Sequence, residues 1–270
     1  MKETLLFPTS TKRNIASLFL FGSLIILVQL NNYLLITVWG IGAGLIFIDK
    51  SMRFFVVITL TFGIGFFLYG YVNSEWFTDM SPEAMRIILN RVSLIALIIP
   101  LICISLIYKL PFMSYWRTPQ WGEFVRIPFI WFGFRQAKVS MFLAMAMFIN
   151  FIAFMPFIVN NTWAYILEIW WFLLIFSILN SVLEEIIWRG ILLSRFSECF
   201  GNRWAVLITS IGFGLQHYSL GFSWVSCLAF SMGGFFFGAL TVHSKSIIPA
   251  VIWHMLFNTL MILSGMIENI

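Results

Sequence analysis

Residues 179–192 read LNSVLEEIIWRGIL, a stretch that places two adjacent carboxylates and an arginine in a segment otherwise apolar enough for a lipid bilayer. A charged side chain at bilayer depth costs roughly 2.5–3.5 kcal/mol on insertion scales, so it usually faces a protein cavity and usually has a role. The stretch therefore predicts a membrane-embedded helix that carries part of a functional site.

The composition of the whole chain predicts a polytopic membrane protein. Of its 270 residues, 61% are hydrophobic and 10% are charged, whereas an ordinary soluble chain has about 25% charged residues. Apolar runs of the length that a membrane-spanning helix needs, about 20 residues, recur from end to end. The candidate spans are residues 14–30, 33–48, 54–73, 92–108, 139–159, 163–182 running on into the quoted stretch, 204–220, 222–242 and 247–267. We expect an all-α, polytopic integral membrane helical bundle with about eight or nine transmembrane helices.

The basic residues predict the orientation of the chain. A formal net charge of +5 could indicate nucleic-acid binding in a soluble protein, but here the cations lie between apolar spans, where positive-inside topology explains them. We therefore expect no nucleic-acid partner. A cytoplasmic N-terminus puts most of the cations in inner loops: Lys50, Arg53, Lys109, Arg117, Arg126, Arg135, Lys138, Arg195, Arg203 and Lys245. Only Arg86 and Arg91 then fall outside, in a loop over residues 73–91.

The longest inner connection, residues 109–138, mixes aromatic and basic side chains. Such a segment is expected on the cytoplasmic membrane surface, with its rings at headgroup depth and its cations among the lipid phosphates. Two interpretations stay open for it, a lipid-anchored linker and an element that gates access of a substrate.

Six polar residues in the last third of the chain form the candidate site. Glu185 and Arg189 are four apart and can pair on one helical face, while Glu184 lies about 100° round the helix and is left freer. The other three lie on two later spans. His217 is on the first, and His254 and Asn258, again four residues apart, are on the second. Counted at 1.5 Å per residue, Glu184 and His217 lie on the order of 20 Å from the inner helix ends and His254 about 12 Å. A common cavity is therefore feasible.

These residue types can hydrolyse a peptide bond. The reaction needs a base to deprotonate water and donors to hold the developing oxyanion. Glu184 can be the base, while His217, His254 and Asn258 can position water or stabilise the oxyanion. Alternatively, Glu184 and the two histidines could hold a divalent metal such as zinc. The spans contain neither a serine in a nucleophile-elbow context nor a pair of aspartates, so serine and aspartyl proteolysis lack their parts.

The motifs EEIIWRG, FGLQH and HMLFN, in that order, resemble the EExxxR, FxxxH and HxxxN motifs of the type II CAAX prenyl endopeptidases and of their bacterial relatives, the Abi or CPBP proteins. The resemblance covers roughly residues 165–265, with Trp188 where the family commonly has Phe or Tyr. It implies that Glu184 activates water. It also implies a supporting role for Glu185 and Arg189. The remaining catalytic residues that it implies are His217, His254 and Asn258.

The resemblance divides the chain into residues 1–160, divergent N-terminal transmembrane helices, and residues 161–270, a catalytic core. It implies an intramembrane endopeptidase in a bacterial plasma membrane, acting on a membrane-embedded or lipid-anchored protein or peptide. The alternative is a non-enzymatic membrane scaffold or bacteriocin self-immunity protein that keeps the motifs for helix packing. A transporter is disfavoured because the sequence lacks inverted repeats.

Overall fold

The computed structural model describes residues 10–267 and confirms a polytopic helical membrane protein. Within this range six helices are long and apolar enough to cross a membrane: Thr11–Gln29, Arg53–Phe77, Glu83–Ile107, Val139–Ile158, Trp163–Phe200 and Trp224–Ser244. Two shorter apolar helices add to them, Tyr33–Ile48 and Ile248–Leu263. The outermost parts of the two predicted regions, residues 1–9 and 268–270, lie outside the described residues.

The helices and strands follow one another in a simple order. In chain order they are α1 Thr11–Gln29, α2 Tyr33–Ile48, α3 Arg53–Val72, α4 Glu83–Val92, α5 Ile95–Ile107, β1 Phe124–Pro128, β2 Gly133–Lys138, α6 Val139–Ile158, α7 Trp163–Glu185, α8 Leu193–Phe200, α9 Asn202–Gln216, α10 Trp224–Ser244 and α11 Ile248–Leu263. A π-helical segment, Ile186–Leu192, joins α7 to α8, and a 3₁₀ turn, His217–Leu220, follows α9.

The long connection at residues 109–138 contains the only two strands among the described residues, which an all-α prediction does not include. Strands β1 and β2 pair antiparallel, with Val125 opposite Ala137. Both of these side chains are buried, whereas Phe124 and Phe134 on the same strands are exposed. Alternation of buried and exposed residues is typical of a strand with one buried face. Apolar runs long enough to span a membrane, which are the basis of the all-α prediction, do not reveal this two-residue period.

The same connection is tied to the turn between α10 and α11. Gln120 N donates to the Ser244 carbonyl at 2.8 Å, and Ser246 Oγ donates to the Arg117 carbonyl at 2.6 Å. Arg195 Nη2 reaches the Pro111 carbonyl at 3.2 Å. The connection, the end of α8 and the start of α11 therefore lie at one end of the bundle.

The quoted motif lies on a continuous helix, Trp163–Phe200, whose hydrogen-bond pattern changes just after the two glutamates. The π segment begins at Ile186 and includes Arg189. Single π turns inside α-helices occur frequently at functional sites. Trp188 anchors the segment, since its fully buried ring contacts Phe21, Phe62 and Phe213.

The segment predicted as an outer loop, residues 73–91, is largely helical instead. Helix α4 begins at Glu83, nine residues before the predicted span at residue 92. Arg91 is therefore not a loop residue but a buried side chain of α4, which packs against α7. The prediction failed because Arg86 and Arg91 interrupt the hydropathy of what is an amphipathic helix.

Helices α9 and α10 approach closely because Gly214 has no side chain. A Cβ at this position would overlap with Ser231 Oγ and the Cys227 carbonyl oxygen on α10. Small residues allow such approach between membrane helices. Because Gly214 is three residues before His217, this contact also fixes where that histidine lies.

We predict that Gly214→Ala destabilises the protein by about 1–3 kcal/mol or more, since α10 must move to admit the methyl group. Thermal unfolding in detergent measures the change. Gly233→Ala on α10 is the matched control, because a Cβ there meets no atom within 4 Å. Equal unfolding temperatures for the two variants would contradict this account of the α9–α10 contact.

Candidate active site

All six predicted site residues are buried, on three elements that meet in the C-terminal half of the chain. Helix α7 and the π segment carry Glu184, Glu185 and Arg189; the turn after α9 carries His217; and α11 carries His254 and Asn258. The ring of Phe213 lies between the two histidines, 4.9 Å from His217 and 5.8 Å from His254 between ring centroids.

Glu185 connects the predicted arginine to the predicted histidine. Its Oε1 accepts a hydrogen bond from Arg189 Nη1 at 2.7 Å and is 2.8 Å from His254 Nδ1. The predicted pairing of Glu185 with Arg189 is thus present in the structure. Arg189 Nη2 also donates to the Gly234 carbonyl at 3.2 Å, so the contacts link α7 and the π segment to α10 and α11.

The Arg189 guanidinium is held between aromatic faces. It lies 4.3 Å from the ring centroid of Phe213 and 5.2 Å from that of Phe237. A cation over an aromatic ring is stabilised by the ring quadrupole, more strongly where water is excluded. The positive charge of Arg189 is therefore compensated by a carboxylate, a carbonyl and two rings.

Glu184 has one engaged and one unengaged oxygen. Its Oε1 accepts from Gln216 Nε2 at 3.2 Å and from Arg91 Nη1 at 3.4 Å. Its Oε2 is buried and accepts no hydrogen bond from the described residues. A ring nitrogen of His254, Nε2, lies 3.7 Å from Oε2. Glu184 is therefore less free than the helical spacing predicts, but one oxygen can still accept a proton.

Hydrogen-bond partners fix the tautomers of the two histidines. A carboxylate and a carbonyl only accept, so the proton of neutral His254 lies on Nδ1, toward Glu185, and that of neutral His217 on Nδ1, toward the Phe213 carbonyl at 2.7 Å. Each neutral ring then presents Nε2 as an acceptor. The His217 ring stacks on Phe230 at 4.1 Å between centroids, which fixes its plane.

Asn258 supplies a neutral donor to the same region. Its Nδ2 is buried and makes no hydrogen bond to any described residue. A buried donor without a partner costs free energy, about 1–3 kcal/mol. Such a group at a cavity wall is suited to bind a charge that develops during a reaction.

A cavity of about 530 Å³ opens beside these groups. Polar side chains line one part of its wall: Arg91, Asn180, His217, His254 and Asn258. The rest of the wall is mostly apolar and comes mainly from α6, α10 and α11, with Ile127 and Pro128 of the hairpin also in the lining. The cavity is large enough for several side chains of an extended peptide.

Three polar residues of the site were missed by the sequence analysis. Asn180 and Gln216 carry a signal that could have been used, because Asn180 is one helical turn before Glu184 and Gln216 directly precedes His217. Arg91 had no such signal, since its contact with Glu184 joins residues 93 apart in sequence. Only the three-dimensional packing of α4 on α7 reveals it.

The sequence leaves open whether Glu184 and the two histidines hold a divalent metal. Residues 10–267 contain no group of three or more His, Cys, Asp or Glu side chains arranged to hold a metal ion. His254 Nδ1 faces Glu185 and His217 Nδ1 faces the Phe213 carbonyl, which leaves the Nε2 atom of each ring free of these two contacts.

The comparisons with known proteins give one match. Residues 166–260 match the family model of the type II CAAX prenyl endopeptidases, described as Rce1-like. Neither the curated proteins nor the solved structures give a match. The matched region contains all six predicted site residues, while Arg91 lies outside it. The resemblance predicted for roughly residues 165–265 is therefore confirmed as a family-model match over residues 166–260.

Proposed function

We propose that the protein is an intramembrane endopeptidase that hydrolyses a peptide bond of a membrane-associated protein or peptide with water activated by Glu184. One observation carries the proposal. Glu184 Oε2 is a buried carboxylate oxygen that accepts no hydrogen bond from residues 10–267, and it lies 3.7 Å from His254 Nε2 on a helix within the region that matches a peptidase family. A general base needs just such an available oxygen.

The first step transfers a proton from water to Glu184 Oε2 while the water oxygen attacks the carbonyl carbon of the substrate. The electron pair of the C=O bond moves to its oxygen and forms an oxyanion. Asn258 Nδ2, a donor with no described partner, can hydrogen-bond this oxyanion. One hydrogen of the attacking water goes to Glu184, and Nε2 of the neutral His254 or His217 ring can accept a hydrogen bond from the other hydrogen and so orient the water.

The second step breaks the C–N bond. The oxyanion returns its electron pair to the carbonyl, the leaving nitrogen takes the proton from the Glu184 carboxylic acid, and a new carboxyl group and an amine result. Glu184 is thereby restored as a carboxylate. Glu185 and Arg189 take no proton in this scheme, since their mutual contact at 2.7 Å and the contact of Glu185 with His254 serve to orient the imidazole.

The cavity supports a membrane-associated substrate. Its wall is mostly apolar apart from the polar side chains around His217 and His254. Transfer of an extended apolar or lipid-modified peptide from the bilayer into the cavity therefore costs little free energy. The scissile carbonyl would lie beside Asn258, where the polar part of the wall is.

The alternative of a non-enzymatic scaffold or self-immunity protein is favoured by a different observation. The contacts of Glu185 with Arg189 and His254, and of Arg189 with the Gly234 carbonyl, join three helical elements without requiring a substrate. A packing role of this kind does not account for the unpartnered oxygen of Glu184 or the unpartnered amide of Asn258.

We predict that Glu184→Gln lowers kcat by at least about 100-fold, because the amide cannot accept the proton of water. The measurement is cleavage of a library of internally quenched peptides and of a farnesylated cysteine peptide by purified protein in detergent, with and without a chelator. Glu168→Gln is the matched control, since it makes the same change at an exposed position of the same helix. A chelator effect would indicate that a metal ion contributes.

Two outcomes of this experiment would contradict the proposal. Equal cleavage by wild type and Glu184→Gln would mean that another group activates water. No cleavage by wild type, together with full biological activity of Glu184→Gln in cells, would support the scaffold instead.

We predict that Asn258→Ala lowers kcat by roughly 100- to 1,000-fold and leaves KM nearly unchanged, because the lost hydrogen bond forms only with the oxyanion. Steady-state kinetics on the best peptide of the library measures both constants. Thr259→Ala is the control on the next position of α11; its hydroxyl bonds to Ser177 and to its own helix. A loss confined to KM would assign Asn258 to substrate binding.

We also propose that the protein lies in a bacterial plasma membrane with its N-terminus in the cytoplasm. The clustering of cations supports this orientation, because Arg195, Arg203 and the hairpin lie at one end of the bundle, with Arg203 5.9 Å from the Phe132 ring. Positive residues favour the cytoplasmic side.

For this orientation we predict that Phe134→Cys, at the most exposed aromatic side chain of the hairpin, reacts with a membrane-impermeant thiol reagent in inverted vesicles but not in intact spheroplasts. Glu75→Cys, beyond the far end of α3, is the control with the opposite expected pattern. Both are made in a variant in which Ser replaces the exposed Cys103. Labelling of Phe134→Cys in spheroplasts would reverse the proposed topology.

A further inference from the structure

Among the described residues of the N-terminal half, Arg91 is the one charged residue that lines the cavity. It is 4% exposed, lies on α4 and lines the cavity together with His217 and His254. It falls outside the region that matches the peptidase family. The three peptidase motifs therefore do not predict an arginine at this position.

The contact of Arg91 with Glu184 is selective for one oxygen. Arg91 Nη1 lies 3.4 Å from Glu184 Oε1, and Gln216 Nε2 donates to the same atom at 3.2 Å. Oε2 receives neither donor. Two donors on Oε1 fix the rotation of the carboxylate, so that Oε2 is the oxygen directed toward His254.

The guanidinium is itself held from several sides. Nη2 donates to the Tyr69 hydroxyl oxygen on α3 at 2.9 Å and to Asn90 Oδ1, while Nη1 also donates to Asn180 Oδ1 on α7 at 3.2 Å. Tyr69 in turn donates its hydroxyl proton to Asn90 Oδ1 at 2.9 Å. A planar guanidinium bonded to acceptors on three helices has little freedom to rotate, and a lysine could not reproduce this fork.

We propose that Arg91 is a positioning residue for Glu184: it clamps Oε1, together with Gln216, and thereby orients Oε2 toward the water and substrate. The inference rests on the proposed function, since the positioned group is the general base. The N-terminal helices α3 and α4 then contribute to the reaction itself, and the catalytic unit is larger than the matched region.

The clamp acts on the rate rather than on substrate binding. A base displaced by about 1 Å can cost on the order of 100-fold in rate. Loss of Arg91 also leaves the buried Glu184 carboxylate without its nearest cation. Both effects act on the proton-transfer step, and neither removes a contact to the substrate.

The test is a set of variants assayed on the peptide that wild type cleaves fastest. We expect Arg91→Ala to lower kcat on the order of 100-fold with KM within about threefold of wild type. Because Arg91 lies on the cavity wall, added guanidinium ion can enter the space left by the side chain and restore kcat by roughly tenfold. Arg91→Lys, which keeps the charge but not the fork, is expected to remain roughly tenfold below wild type.

Two further variants separate positioning from folding. Tyr69→Phe removes one hydrogen bond to Arg91 and leaves its charge in place, so we expect a smaller loss of kcat, roughly threefold to tenfold. Arg86→Gln is the matched control on α4, because Arg86 pairs with Glu83 on the partly exposed side of the helix and should leave kcat unchanged.

The outcomes distinguish this inference from the proposed function. Wild-type kcat in Arg91→Ala, with Glu184→Gln inactive, would overturn the clamp and leave the peptidase standing. A loss in Arg91→Ala that guanidinium does not restore, with Tyr69→Phe at wild-type kcat, would reduce Arg91 to a folding role. If wild type cleaves none of the peptides, the proposed function and the clamp fall together.

Discussion

The pairing of two buried carboxylates with two buried guanidinium groups is the constraint on which the rest of the site depends. Glu185 pairs with Arg189 and Glu184 with Arg91, and each of these four residues is at most 4% exposed. Removing one partner of such a pair costs about 3–5 kcal/mol, because the other is left as an unpaired charge in a medium of low dielectric. The helices that carry the four residues are therefore held in one arrangement, and that arrangement determines where the remaining polar groups lie.

The packing around this quartet gives each side chain one position. Phe213 and Phe237 cover the Arg189 guanidinium, and Gly214 lets α9 approach α10 closely enough to bring His217 to the cavity wall. Among the described residues, the packing leaves four buried polar atoms of the site without a hydrogen-bond partner: Arg91 Nε, Glu184 Oε2, Glu185 Oε2 and Asn258 Nδ2. An acceptor for a proton and a donor for an oxyanion, both unpartnered and both buried, are what hydrolysis of a peptide bond requires.

The sequence predicts the helical membrane architecture, which the structure confirms, and it singles out six polar residues that the structure buries close together. Both depend on local patterns. Apolar runs determine the spans, and four-residue spacings such as that of Glu185 and Arg189 place side chains on one helical face. Contacts between distant residues have no such pattern, so Arg91 was assigned to an outer loop and its approach to Glu184 was not foreseen. The hairpin at residues 124–138 is not predicted for a related reason. Its short alternation of buried and exposed residues lies inside the connection of residues 109–138, which the sequence predicts only to lie on the membrane surface.

The measurement that tests the central claim most directly is mass spectrometry of the products of a single turnover in oxygen-18 water. If Glu184 acts as a general base, the new carboxyl group of the first product carries one oxygen-18 atom and the Glu184 side chain carries none. A first product without the label, with the label appearing in Glu184 instead, would mean that the carboxylate attacks the peptide bond itself and would contradict water activation. The arrangement of Oε2 beside His254, 3.7 Å from its Nε2, predicts the first result.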